Sequence, residues 1–277
     1  MKRILTIQDI SCVGKCSLTV ALPIISTFGV ETSVLPTAVL STHTAFKGFT
    51  FRDLTDDLID ISKHWKEQNI SFDAIYTGYL GSFEQLNIVS NIIDDFKGKD
   101  NFVLIDPVMG DNGSLYVGFD QAFANSMAKL CSKADIIVPN LTEASFMLNQ
   151  PYIEKGYDEQ YIKDILKKLT DLGAKKAILT GVRLNDKNIG AYGYDSTTNT
   201  YFSYFREFLP ESFHGTGDVF ASSLCGALSI EKDILEALKI AVDYTVESMK
   251  ITINSPNKNW YGVEFEKAIP FLIERIK

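Results

Sequence analysis

The absences in this chain narrow its function before any motif is considered. It has only four cysteines, Cys12, Cys16, Cys131 and Cys225. Cys12 and Cys16 lie four apart, but no histidine or further cysteine stands nearby in sequence to complete a metal site. Reduced thiols in a cytoplasmic protein fit this usage better than a disulfide framework. No apolar run approaches the roughly 18 residues of a membrane span. No secretory leader is expected either, because the apolar stretch after Met1-Lys2-Arg3 is broken at once by Gln8 and Asp9. There is no run of lysine and arginine, and the formal net charge is −8, so nucleic acid and anionic membranes are poor partners. There is no Gly-x-x-x-x-Gly-Lys-Ser/Thr stretch and no Gly-x-Gly-x-x-Gly after the first apolar run, which removes the P-loop and dinucleotide readings. Gly14-Lys15-Cys16-Ser17 opens a first helix but lacks the upstream glycine. With no linker, repeat or low-complexity tract, residues 1–277 read as a single domain.

Short apolar runs suit buried parallel strands: Ile4–Ile7, Thr32–Leu35, Ala74–Tyr76, Phe102–Ile105, Ile136–Val138 and Ala177–Leu179. Helical spacing lies between them, at Leu54, Leu58, Ile61 and Trp65, at Leu86, Val89, Ile92, Ile93 and Phe96, and at Ile162, Ile165, Leu166 and Leu169. This alternation predicts a three-layer α/β/α fold with a mainly parallel central sheet. Ile189–Asp195 and Tyr201–Arg206 flank Ser196-Thr197-Thr198-Asn199 and predict an antiparallel hairpin at one edge. After Asp218 the pattern is helical throughout, as Val219–Ala227, Lys232–Lys250 and Glu264–Ile276.

The strongest chemical signal is His214-Gly215-Thr216-Gly217-Asp218, followed by small and apolar residues at helical spacing. Glycines allow backbone amides to turn inward, and a helix start adds unpaired amides and the positive end of the dipole. That arrangement holds an anion and sets a carboxylate beside it, as phosphoryl transfer requires. The same four residues could also be a loop with an ordinary aspartate cap. An aspartate at a helix start is expected to favour its ionised form and to be a weak base.

Ligands in such sheets bind beyond the carboxyl ends of the strands. Thr77-Gly78-Tyr79-Leu80-Gly81, Asp106-Pro107-Val108-Met109-Gly110-Asp111, Pro139-Asn140-Leu141-Thr142-Glu143 and Thr180-Gly181 each follow a predicted strand. Asp106, Asp111, Asn140 and Glu143 supply hard oxygen donors suited to Mg²⁺ and phosphate. Taken singly, each could instead start a turn or a helix. His43, between two threonines, reads as a hydrogen-bonded structural element more readily than as a general acid.

These motifs, in this order, resemble the ribokinase-like superfamily. Ile7-Gln8 at the end of the first strand and Ser41-Thr42-His43-Thr44 resemble its pyridoxal/pyridoxamine kinase branch. The resemblance runs from residue 4 to about 250. It implies phosphoryl transfer from MgATP to the 5′-hydroxymethyl of a B6 vitamer. It implies Asp218 as catalytic base, an anion hole from Gly215, Thr216 and Gly217, and nucleotide contacts from Asp106, Asp111, Asn140, Glu143, Thr180 and Gly181. Asp106 and Glu143 would meet the metal, directly or through water. Asp9, His43, Thr44 and Tyr79 would line the acceptor pocket with Asp218. Asp111–Tyr116 resembles a mobile loop over the phosphates. A homodimer is implied, and a K⁺ requirement is left open.

Asp9 departs from the family pattern, in which serine usually follows Ile-Gln. A carboxylate there would favour amino-bearing or ring-protonated acceptors. It also keeps hydroxymethylpyrimidine kinase as the rival reading, although the glycine-rich segment usual in that group is replaced by Asp9-Ile10-Ser11-Cys12-Val13-Gly14. A sugar or nucleoside kinase fits less well, and a non-catalytic B6-binding protein would not need the Gly-Thr-Gly-Asp segment.

Overall fold

Ile4, Leu5 and Ile7, all fully buried, anchor the first strand of the computed structural model, which describes residues 1–277. Burying each such side chain contributes about 1.5–3 kcal/mol. The chain forms two compact units, Met1–Gly78 with Leu209–Lys277, and Tyr79–Phe208.

The first unit begins with β1 (Arg3–Ser11), α1 (Leu18–Thr27), β2 (Glu31–Leu40), β3 (Phe51–Asp53), α2 (Thr55–Glu67) and β4 (Ala74–Thr77). β1 is central, paired in parallel with β2 on one side and β4 on the other, while β3 lies antiparallel on the outer edge of β2. The β1–β2 register shifts between Gln8 and Ile10, where Thr37 and Ala38 of β2 stand opposite the single residue Asp9, so β2 carries the bulge. A bulge breaks strand alternation and re-aims a side chain. Acidic Asp56 and Asp57 in the first turn of α2, and His64 and Lys66 in its last, match the helix dipole.

The second unit holds α3 (Phe83–Phe96), β5 (Phe102–Ile105), β6 (Gly110–Asp111), β7 (Ser114–Leu115), α4 (Gln121–Cys131), β8 (Ile136–Ile137), α5 (Leu141–Met147), α6 (Glu159–Asp171), β9 (Lys176–Val182), β10 (Asn188–Asp195) and β11 (Thr200–Glu207). β5, β8 and β9 are parallel, and β10 and β11 form an antiparallel hairpin outside β9. Ser82, Asp120 and Asp158 cap α3, α4 and α6 by accepting from the backbone amide three residues on.

The chain then returns to the first unit as α7 (Thr216–Ser229), α8 (Ile234–Ile253), a 3₁₀ turn (Phe265–Ala268) and α9 (Ile269–Ile276). The last segment predicted as one helix is thus divided. Its α-helical part begins next to Pro270, at a position where a missing amide costs nothing.

The expected mainly parallel α/β arrangement with an antiparallel edge hairpin is borne out, and every predicted strand run lies in an observed strand except for Val138, which falls just past the end of β8. Helix α4 is not among the predicted helical segments, and two small strand features are additional. β3 is three exposed residues with no apolar run to betray it. β6 and β7 form a hairpin turning on Asn112 (φ 50°) and Gly113 (φ 78°), inside the segment expected to be a mobile loop. Positive φ at both positions is the demand of the tight hairpin turn that Asn-Gly satisfies. No helix is long and apolar enough to cross a membrane.

Candidate active site

In the first unit, Asp218 sits in the first turn of α7, one residue beyond Gly217. Gly215 caps that helix in the left-handed region, at φ 82°. A side chain there would collide with the Lys15 carbonyl, so the position requires glycine twice over. Nothing lies within 4 Å of where a Cβ on Gly217 would stand. The first amides of α7 have no acceptor inside their own helix and can serve an incoming anion. The Thr216 hydroxyl donates to the Phe213 carbonyl at 3.3 Å, steadying the entry to the helix.

Asp218 is not the weak base that its place at a helix start suggested. Burial pushes its pKa up to about 7. The Ser17 backbone amide, which donates to the carboxylate, opposes the rise, and the charge of Asp9 adds to it. Desolvation and a neighbouring like charge outweigh the helix dipole. A base with a pKa near neutrality is better matched to taking a proton from an alcohol.

Asp9 is buried opposite the bulge of β2 and accepts from the Ser11 hydroxyl at 3.0 Å. Burial raises its pKa, against the Ser17 and Ser11 hydroxyls that lower it. Cys16 stands in the same corner; burial raises its thiol pKa, and the charges of Asp218 and Asp9 raise it further. Ser17, the residue before α1, has φ 54° and ψ −135°. That is a costly conformation for a residue with a Cβ, and it aims an amide at Asp218.

His43 is buried, with both ring nitrogens engaged. Nε2 lies 2.9 Å from the Tyr261 carbonyl, and Nδ1 accepts from the Ala45 amide at 3.2 Å. That assigns the Nε2–H tautomer. Burial lowers its pKa, the Tyr261 carbonyl opposes this, and His214 lowers it further. The ring packs against Phe46 and His214, with centroids 5.0 and 5.1 Å away. His43 therefore anchors the loop after β2 to the segment before the 3₁₀ turn. Thr44, beside it, is exposed.

In the second unit, the carboxyl ends of β5, β8 and β9 carry the predicted nucleotide residues. Asn140 and Glu143 form a reciprocal capping box at the start of α5. Asn140 Oδ1 accepts from the Glu143 amide at 2.9 Å, and its Nδ2 donates to the Gly110 carbonyl at 2.8 Å. Glu143 Oε2 accepts from the Asn140 amide at 2.9 Å and Oε1 from the Met109 amide at 3.1 Å. Burial raises the pKa of Glu143, the Asn140, Met109 and Gly110 amides lower it, and the Asp111 charge raises it again. The two residues thus hold the root of the β6–β7 hairpin, and Thr142 holds its tip by accepting from the Gly113 amide at 2.9 Å. Thr180 bridges to Asn140, its amide donating to the Pro139 carbonyl at 3.0 Å, and Gly181 (φ 69°) faces open space. Asp106 is buried past the end of β5, and its charge, like that of Glu143, raises the pKa of the Cys131 thiol. Tyr79 packs against Phe119, with ring centroids 5.7 Å apart.

No group of three or more His, Cys, Asp or Glu side chains forms a closed metal cage. The donors present fit a hydrated Mg²⁺, being hard oxygens on two neighbouring acids. Each Glu143 oxygen already accepts from a backbone amide and keeps a further lone pair for a metal or its water.

The first unit thus groups Asp9 with Asp218, and the second groups Asp106, Asp111, Asn140, Glu143 and Thr180. Sequence reasoning missed Ser11 and Ser17 as partners of the two aspartates. The Gly14–Ser17 stretch was visible, but nothing local shows that its last amide meets a carboxylate 201 positions away (218 − 17).

Open amides at the start of α7 beside a buried aspartate, on an α/β scaffold, are the equipment of a phosphotransferase acting on an alcohol, the class to which the comparisons assign the chain. The family model described as phosphomethylpyrimidine kinase matches residues 24–261, and the chain belongs to that family. A Bacteroides thetaiotaomicron protein with a phosphomethylpyrimidine kinase assignment, whose orthorhombic crystals contain pyridoxal, is 40% identical, covering 98% of this chain and 95% of that one with a TM-score of 0.93. Pyridoxal kinase from Lactobacillus plantarum is 29% identical over 99% of this chain and 97% of its own, with a TM-score of 0.90. Pyridoxal kinase from Dictyostelium discoideum is 25% identical over 98% of this chain and 95% of its own length. The resemblance to the ribokinase-like superfamily and its pyridoxal kinase branch is borne out.

Proposed function

We propose that the chain, acting over residues 1–277 as one catalytic domain, transfers the γ-phosphoryl group of ATP to the 5′-hydroxymethyl of pyridoxal, pyridoxamine or pyridoxine. The observation that carries this reading is Asp218, held with a near-neutral pKa beside the open amides that begin α7. The acceptor oxygen forms a bond to the γ-phosphorus as the bond to the bridging oxygen of ADP breaks. Asp218 takes the hydroxyl proton. The amides of Gly215, Thr216 and Gly217 receive the charge on the transferring oxygens. The transition state is loose, so positioning matters more than the strength of the base.

Asp106 and Glu143 are the residues assigned to hydrated Mg²⁺, whose chemistry is to neutralise charge on the β- and γ-phosphates. Asn140, Glu143 and Thr142 position the 110–115 hairpin for a covering role over those phosphates. A homodimer in the cytoplasm belongs to the same reading, and the four free thiols fit a reducing compartment.

The family description favours one alternative, phosphorylation of hydroxymethylpyrimidine. Incubating the protein with MgATP and each of the three vitamers or hydroxymethylpyrimidine, then reading product mass, decides between them. A one-phosphate gain on a vitamer is expected. Phosphorylation of hydroxymethylpyrimidine alone would replace the proposal with the rival.

A further inference from the structure

Two acceptor atoms at the end of β1 are buried and receive no hydrogen bond, Asp9 Oδ1 and Gln8 Oε1. Both residues are more than nine-tenths buried, with Asp9 4% exposed and Gln8 0%. The Gln8 amide nitrogen is committed to the Thr6 hydroxyl at 2.7 Å, which leaves its oxygen as the unsatisfied end. The other Asp9 oxygen is taken by Ser11. Buried acceptors are costly when empty, and a buried carboxylate most of all.

No lysine or arginine pairs with Asp9. The ionisable groups that act in its corner are Asp218 on α7 and the Cys16 thiol ahead of α1, and both become negative on ionising. The hydroxyls facing it are those of Ser11 and Ser17. The donors in reach of Asp9 are the Ser11 and Ser17 hydroxyls and its own backbone amide, so the protein brings two carboxylates together and supplies no positive charge. A ligand must bring one.

We infer that Asp9 is a specificity-determining residue whose free oxygen receives an N–H group on the acceptor's ring edge, so that amine-bearing acceptors are favoured over those offering only an aldehyde or hydroxyl there. This rests on the proposed kinase reading, in which Asp218 sits at the acceptor hydroxyl. Among the proposed acceptors, pyridoxamine carries an ammonium group, and hydroxymethylpyrimidine carries a ring amine. Pyridoxal and pyridoxine carry neither and offer only the ring N–H that all three vitamers share when the pyridine is protonated. A charge-assisted N–H···O⁻ bond is roughly twice as strong as a neutral one, so the ammonium gains most.

The test is kcat/KM for pyridoxamine, hydroxymethylpyrimidine and pyridoxine in wild type, Asp9→Asn and Asp9→Ser. The pyridoxamine-to-pyridoxine ratio is expected to exceed one in wild type and to fall at least tenfold in Asp9→Ser, chiefly through KM. Asp9→Asn keeps an acceptor oxygen and the side-chain shape, so hydroxymethylpyrimidine is expected to lose less in it than pyridoxamine does. Ratios within threefold of wild type in both variants would overturn the inference while leaving the kinase reading intact. If wild type phosphorylates neither these three nor pyridoxal, the kinase reading fails by itself. Calorimetric binding of pyridoxamine and pyridoxine to wild type and Asp9→Asn then decides the role of Asp9, and equal loss or no loss for both overturns it.

Discussion

A Cβ on residue 215 would stand 1.6 Å from the carbonyl oxygen of Lys15. Backbone meets backbone there, where the loop before α1 touches the turn before α7. The contact is held from outside. Lys15 pairs with Glu266, and the Val263 amide donates to the His214 carbonyl at 3.2 Å. The turn before α7 is thus braced by the segment that follows α8.

Gly215→Ala is expected to lower Tm by more than the left-handed backbone alone would require, a cost of about 1–2 kcal/mol, because the Lys15 loop must also move. Gly217→Ala has open space and a helical position, so its Tm is expected to stay level or rise, by up to about 1 kcal/mol in stability. Its turnover is nevertheless expected to fall, because a methyl group would cover amides offered to phosphate. Thermal melts alongside kcat separate the two; a Gly217→Ala enzyme of full activity would remove that residue from the anion hole.

Asp218→Asn should leave ATP affinity largely intact and reduce kcat by ~10² or more, the usual worth of a positioned general base. Nucleotide titration by calorimetry and steady-state rates check both halves. Turnover within a few-fold of wild type would mean that the carboxylate is not the base.

The raised pKa of Asp218 has two consequences for pH. In activity, the base must be deprotonated, so kcat/KM for pyridoxine is expected to climb on an acid limb centred at about 7. Asp9→Asn removes a like charge and should move that limb to lower pH. In stability, the native state keeps this proton over the interval from 3.8 to about 7 in which the unfolded chain has released it. The native state binds more protons there, so this group's contribution to stability falls as pH rises through that window. Denaturant titrations of wild type and Asp218→Asn across it should show a shallower decline in the variant.

Glu143→Leu strands two buried amides, those of Met109 and Asn140. Each costs about 1–3 kcal/mol when left unpaired. Glu143→Gln keeps an acceptor for one of them and should lose less. In both variants KM for MgATP is expected to rise more than kcat falls, since the hairpin at 110–115 loses its root. Chemical denaturation and a KM series on MgATP read the two effects, and a kcat loss with KM unchanged would contradict the positioning role.

Much of this was legible in the chain. The buried parallel strands announced themselves as apolar runs such as Phe102–Ile105, whose inner residues are fully buried. The hairpin of β10 and β11 showed in its turn residues. Asn140 and Glu143 could be read as ligands or as a helix start, and the structure shows the capping box in full. β3 was illegible because three exposed residues, paired only by their backbone, leave no hydrophobic trace.

By itself the sequence determined where most of the strands and helices fall and which polar residues stand at strand ends, because hydrophobic periodicity and glycine placement are local properties. It did not determine the proton affinity of Asp218 or the isolation of the Asp9 oxygen. Those depend on burial and on charges brought together from residues 9, 16, 17 and 218, and only the packed chain decides which groups lose water and which of them find a partner.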